Sequence, residues 1–288
     1  MPEFRRSDER FEAAPDGASR ARALGQFLLF AVFVFVMISV LGTLVARLRL
    51  PGVGLQVLKG NLIVAAAALA VTAIFARIQG ISARSFGLGG RHKGWNFAFG
   101  AGMGFILLTA LLLVLRGVSG FRFGPAGSTG LESFEFGLLY AAVFGAVSLA
   151  EETMWRGYAL VCLSRALSFW PAAIVLGAIF GAVHLNHSTE NYLGISAAAL
   201  FGLVFAWSFR CTGSLWFALG VHAGWDYSQS FIYGVPDSGV VLPGALLRPH
   251  MGGPAWLTGG SAGPEGSVLM AAVLACVVLC VRFVRTTE

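Results

Sequence analysis

Long uncharged apolar runs, separated by short polar or Gly/Pro-rich connections, set the pattern of the chain. Residues 25–46 carry no charge for 22 positions, and at about 1.5 Å per residue such a run crosses a hydrocarbon core of about 30 Å. Further apolar segments at 58–76, 95–115, 138–163, 170–187, 192–209, 214–233 and 266–281 bring the total to eight, the second and last being short. Connections at 117–130 and 236–266 are rich in Gly and Pro, as breaks between elements should be. An unpaired backbone group in hydrocarbon costs several kcal/mol, so these segments must be helices, and the ten-residue alternation of a barrel strand is missing. The predicted fold is all-α: a polytopic transmembrane helical bundle of about eight spans. A cleaved signal peptide would have a shorter apolar stretch and a small-residue end, so 25–46 is read as the first span.

Composition agrees with lipid as the solvent. The 288 residues are 57% hydrophobic and 12% charged, against about a quarter charged in a soluble domain. No carboxylate occurs between Asp16 and Glu132. Residues 1–23 hold five Arg and five acidic residues without apolar period, which predicts a disordered cytoplasmic tail ahead of a transmembrane domain at 24–288. Net charge is +6, and with the N-terminus inside, inner segments carry 13 Lys/Arg and outer ones six, leaving Arg156 within a span. That bias places both termini in the cytoplasm and makes membrane lipid the partner of the basic residues, with no nucleic acid. The four cysteines sit in or beside apolar runs without CxxC spacing and read as packing residues. The spacings Gly100, Gly102, Gly104 and Gly177, Gly181 suit close helix contacts, or reflect the ordinary abundance of glycine in membrane helices. An Arg, Ala and Gly bias points to a GC-rich bacterial genome, hence a bacterial cell membrane.

The first three apolar spans have uncharged interiors, whereas 138–233 contains ionisable residues that do not fall in loops. Each costs about 2.5–3.5 kcal/mol at the centre of a span, so a chain that keeps several has a use for them. Glu151 and Glu152 lie near the middle of the fourth span, His184 and His187 end the fifth, and His222 and Asp226 lie in the seventh. Glu152 and Arg156 are i,i+4 neighbours and can pair, while Glu151 points about 100° away and remains for a cavity. His222 and Asp226 share a face, and Phe180 lies one turn from His184. Three carboxylates against one Arg leave excess negative charge. Protonated histidines, a raised carboxyl pKa or a bound divalent cation would each relieve it. All three describe a site that activates water.

These residues resemble the motifs of the CAAX prenyl endopeptidase type II and bacteriocin-processing (CPBP) membrane proteases, also called the abortive-infection family. The EExxxR pattern stands as Glu151-Glu152-Thr153-Met154-Trp155-Arg156, FxxxH as Phe180 to His184, and HxxxN/D as His222 to Asp226. Arg156-Gly157-Tyr158 is similar to the family's usual continuation, and the likeness covers a protease core at about 138–233. The resemblance implies an intramembrane endopeptidase acting on a membrane-associated protein or peptide, lipidated in the CAAX case. Glu151 would activate water with help from His184, and His222 and Asp226 would hold the oxyanion. Asp in place of Asn departs from this scheme, because a carboxylate donates no hydrogen bond unless protonated. Asp226 therefore carries a shared proton or is a metal ligand. Zinc held by Glu151, His184, His222 and Asp226 fits by ligand type, although this is not an HExxH site.

Other readings stand beside this one. Intramembrane carboxylates and histidines also mark proton- or cation-coupled transporters, for which inverted repeats would be expected. A catalytically silent immunity or scaffold protein would keep the same fold. Glu151 and Glu152 could be an ion-paired belt, and His184 and His222 hydrogen-bonded core residues. His187 reads as a boundary residue, His92 and His250 as loop residues, and the tryptophans as interface anchors or core.

Overall fold

The computed structural model describes residues 9–186, Thr189 and residues 191–286. His187 lies outside these residues. The long helices are α1 (Gly17–Leu44), α2 (Val53–Ile78), α3 (Lys93–Val118) and α4 (Gly130–Arg156). They are followed by α5 (Tyr158–Leu167), α6 (Phe169–Val183), α7 (Tyr192–Thr212), α8 (Trp216–Tyr227), the short α9 (Ala255–Thr258) and α10 (Met270–Cys280). There is no strand among the described residues, only isolated bridges such as Arg122 to His250 and Ala126 to Leu247. The protein is an all-helical bundle, and among the described residues five helical stretches are long and apolar enough to cross a membrane. The segments Phe169–Val183 and Met270–Phe283 are shorter apolar helices.

Caps in the sequence set several helix starts. Asp16 accepts a hydrogen bond from the Ser19 backbone N–H at 2.8 Å and opens α1, and Asn191 does the same for Gly194 at 2.9 Å in α7. Leu28, Phe33 and Phe35 on α1 are exposed, as lipid-facing side chains are. Inward, Tyr158 stacks on Phe30 with ring centroids 4.9 Å apart and meets Phe75 and Phe86, which ties α5 to α1 and α2.

The helices run alternately between two ends of the bundle. At one end Phe11 meets Phe169 and Phe209 edge-on, and the Leu215 N–H donates to the Gly87 carbonyl at 2.9 Å. There too, Asn96 on α3 exchanges hydrogen bonds with the Arg285 backbone at 2.8 and 3.1 Å. At the other end 119–129 bridges to 245–250, and Asn191 Nδ2 donates to the Gly259 carbonyl at 3.0 Å. The described parts of both chain ends thus share one face.

Two differences from the sequence-based expectation matter. The segment 9–23 is not a loose tail in its described part: Phe11 is 1% exposed, Ala14 and Ala23 are buried, and α1 already begins at Gly17. A single aromatic anchor has no periodicity to reveal it. The expected span 138–163 is broken: α4 starts at Gly130, ends at Arg156 and gives way to α5 after Gly157. A Cβ at Gly157 would sit 2.4 Å from the Thr153 carbonyl oxygen, so only glycine permits that turn. The break puts Glu151 near the end of its helix. Because α6 has only 15 residues, His184 ends a short helix against the same cavity as Glu151.

Candidate active site

Glu151, Glu152 and Arg156 come from the last two turns of α4, His184 from the 3-10 turn that closes α6, and His222 and Asp226 from successive turns of α8. Glu152 is 0% exposed and its Oε1 accepts from Arg156 Nη1 at 3.1 Å. The same oxygen lies 3.0 Å from His222 Nδ1, so Glu152 joins α4 to α8 as well as pairing with Arg156. The Arg156 guanidinium sits over the Phe180 ring at 4.2 Å, and Phe180 meets His184 edge-on at 5.0 Å. One chain of contacts therefore links all three motifs.

Those contacts orient the imidazoles. Glu152, ion-paired to Arg156, accepts the Nδ1–H of His222, which turns Nε2 toward Asp226 Oδ2 at 3.3 Å and Glu151 Oε2 at 3.8 Å. A proton between Nε2 and Asp226 makes the ring an imidazolium or the carboxyl a neutral acid, and either state supplies a donor at that position. The Phe180 carbonyl lies 2.8 Å from His184 Nδ1 and accepts its proton, which leaves the lone pair on Nε2. The side chains of Glu151 and His222 are 28% and 15% exposed, so solvent reaches both.

Glu151, Glu152, His184, His222 and Asp226 line one cavity of about 230 Å³. A single water needs about 10–15 Å³ by this measure, so there is room for water and a stretch of substrate. Phe144, Val147, Phe201 and Phe205 form its apolar wall. Arg156 is not part of the lining and stands behind Glu152.

The connection after α8 brings residues that local patterns do not reveal. The last turns of α8 widen into a π-helix at Ser228–Tyr233, and Ser230, Asp237, Ser238 and Glu265 join the cavity lining. Ser230 Oγ donates to Asp237 at 3.2 Å, while the Ser238 N–H and hydroxyl donate to Glu265 at 3.0 and 2.9 Å. Burial, then the negative charges of Asp226 and Glu265, raise the Asp237 carboxyl well above its ordinary value. The available signal was scarcity: nine carboxylates follow Asp16, and two of them fall in an otherwise Gly/Pro-rich connection.

This cluster also bears on metal binding. Among the described residues, Asp226, Asp237 and Glu265 place ligand oxygens within 4.8 Å of one another. Glu151, His184 and His222 are not part of that group, although His222 Nε2 lies 3.3 Å from Asp226 and 3.8 Å from Glu151. Three oxygen ligands suit hard cations better than zinc, whose usual donors are nitrogen and sulfur.

Acidic and histidine side chains from three helices thus face one pocket with an apolar wall. Residues 133–228, a third of the chain, match the sequence model of the family described as Type II CAAX prenyl endopeptidase Rce1-like. The match contains all three motifs, and α1, α2, α3 and α10 lie outside it. Comparison with curated proteins and with solved structures finds no match.

Proposed function

We propose that this protein is an intramembrane endopeptidase that hydrolyses a peptide bond in a membrane-associated protein or peptide, using water activated by Glu151. The observation that carries this reading is a single cavity onto which Glu151, His184, His222 and Asp226 all open from three separate helices. Glu151 takes a proton from water, which the Nε2 lone pair of His184 helps to orient. The water oxygen attacks the carbonyl carbon. His222 Nε2 and Asp226, with the proton they share, donate to the developing oxyanion. The C–N bond then breaks, and the proton held by Glu151 passes to the leaving amine. No step runs through a metal.

Glu152 and Arg156 are positioning residues. Glu152 sets the His222 tautomer, and Arg156 neutralises Glu152 where an unpaired charge would be costly. The apolar part of the wall suits a hydrophobic segment or a lipid attached to the substrate. The test is a membrane-tethered peptide library incubated with purified protein, with new termini read by mass spectrometry. Cleavage by wild type and none by Glu151→Gln is expected. A wild-type protein that cuts nothing would leave the silent-scaffold or transporter readings in place.

A further inference from the structure

The two ends of the bundle differ in charge and in their relation to the cavity. Among the described residues, segments at the end that gathers residues 9–16, 79–92, 213–215 and 284–286 hold 11 of the 18 Lys and Arg, and segments at the opposite end hold six. An excess of Lys and Arg marks cytoplasmic loops, which places the first end in the cytoplasm. The cavity is built toward the second end. The part of its wall on that side comes from Val57 near the start of α2, Gly194 near the start of α7, Ser230 in the π-helix that follows α8, and Asp237, Val240 and Glu265 of the 234–269 connection. Toward the first end it has a floor: Glu152, Arg156, Tyr158 and Leu160 are at most 2% exposed.

We infer that the cavity is entered from the non-cytoplasmic face, beneath the 234–269 connection, and that its substrate is a polypeptide segment presented on that face. An exported peptide, or the outer juxtamembrane stretch of a membrane protein, has this placement. A C-terminal tail displayed in the cytoplasm does not. The inference rests on the peptidase reading for its substrate and on the charge distribution for its sidedness, so the two are tested apart.

For sidedness, the four native cysteines are changed to Ala and single cysteines introduced at Val241, 64% exposed in the 234–269 connection, and at Arg84 in the α2–α3 connection. Val241→Cys is expected to react with a membrane-impermeant maleimide in intact cells, and Arg84→Cys only after permeabilisation. The reverse pattern overturns the inference. For the substrate, one cleavable segment is fused to a membrane anchor on the outer side in one protein and on the inner side in another, both expressed with the unaltered chain. Cleavage of the outer fusion alone, lost with Glu151→Gln, is the expected result. Cleavage of the inner fusion alone overturns the sidedness and leaves the peptidase reading intact. Outward labelling with neither fusion cut removes the peptidase reading and the substrate inference with it.

Discussion

Toward α3, helix α8 presents glycine: a Cβ at Gly220 would lie 2.2 Å from the Phe97 carbonyl oxygen, and one at Gly224 would lie 2.3 Å from that of Ala101. The seam is reciprocal, since Gly100 and Gly104 approach the Phe217 and Val221 carbonyls, each with 2.4 Å for a Cβ. Toward α4 and α7 the same helix presents His222 and Asp226 to a cavity of about 230 Å³. Lipid supplies no hydrophobic drive between helices, so close backbone contact and dispersion must hold them. The difference between the two faces has a physical use. A seam with no room to slide fixes the height of His222 and Asp226 against Glu151, which lets the other face stay open and solvated. Gly177 and Gly181 make a second such contact between α6 and α7, where a Cβ would meet the Ala199 and Ile195 carbonyls at 2.8 Å, whereas Gly102 has open space around it.

The comparison can be broken from either face. Glu151→Gln keeps the shape and removes the base, and cleavage is expected to fall by about a thousandfold with no change in the thermal midpoint of the detergent-solubilised protein. Gly220→Val drives two methyl groups into the α3 backbone and is expected to cost about 3 kcal/mol or more. It is read as a lower thermal midpoint, with activity per folded molecule falling as well because His222 moves. A variant that loses stability but keeps full specific activity would separate the seam from the site.

Asp226→Asn sharpens the account of the shared proton. An amide donates where a carboxylate must first be protonated, so activity is expected to stay within about tenfold of wild type. The smallest effect is expected at Asp237. Its raised value means that the folded state holds a proton the unfolded state releases, so its contribution to stability is full below the ordinary carboxyl value of 3.8 and is lost as pH rises through the raised one. Asp237→Asn should therefore flatten the decline in thermal midpoint as pH increases from acid toward neutral.

Much of this was legible because lipid simplifies the code. Apolar runs reveal the spans, and an intramembrane charge marks a site by its cost, so the Glu152–Arg156 pair follows from i,i+4 spacing alone. What escaped is long-range or local to one residue. Phe11 anchors the N-terminal segment with no pattern around it. The break at Gly157 depends on a steric contact that hydropathy does not register. Asp237 and Glu265 reach the cavity from a connection whose path is set by packing against 119–129, and no helical period predicts that. The double use of Glu152, on Arg156 and His222 together, requires knowing how α8 lies against α4.

The most direct test of the central claim is a single-turnover cleavage in water enriched in oxygen-18, with intact-mass analysis of acid-quenched protein and of the product. The account predicts one heavy oxygen in the new carboxyl terminus, no peptidyl adduct on the protein at any time, and no product with Glu151→Gln. A peptidyl adduct on Glu151 or elsewhere, or cleavage by the Gln variant at the wild-type rate, would contradict it.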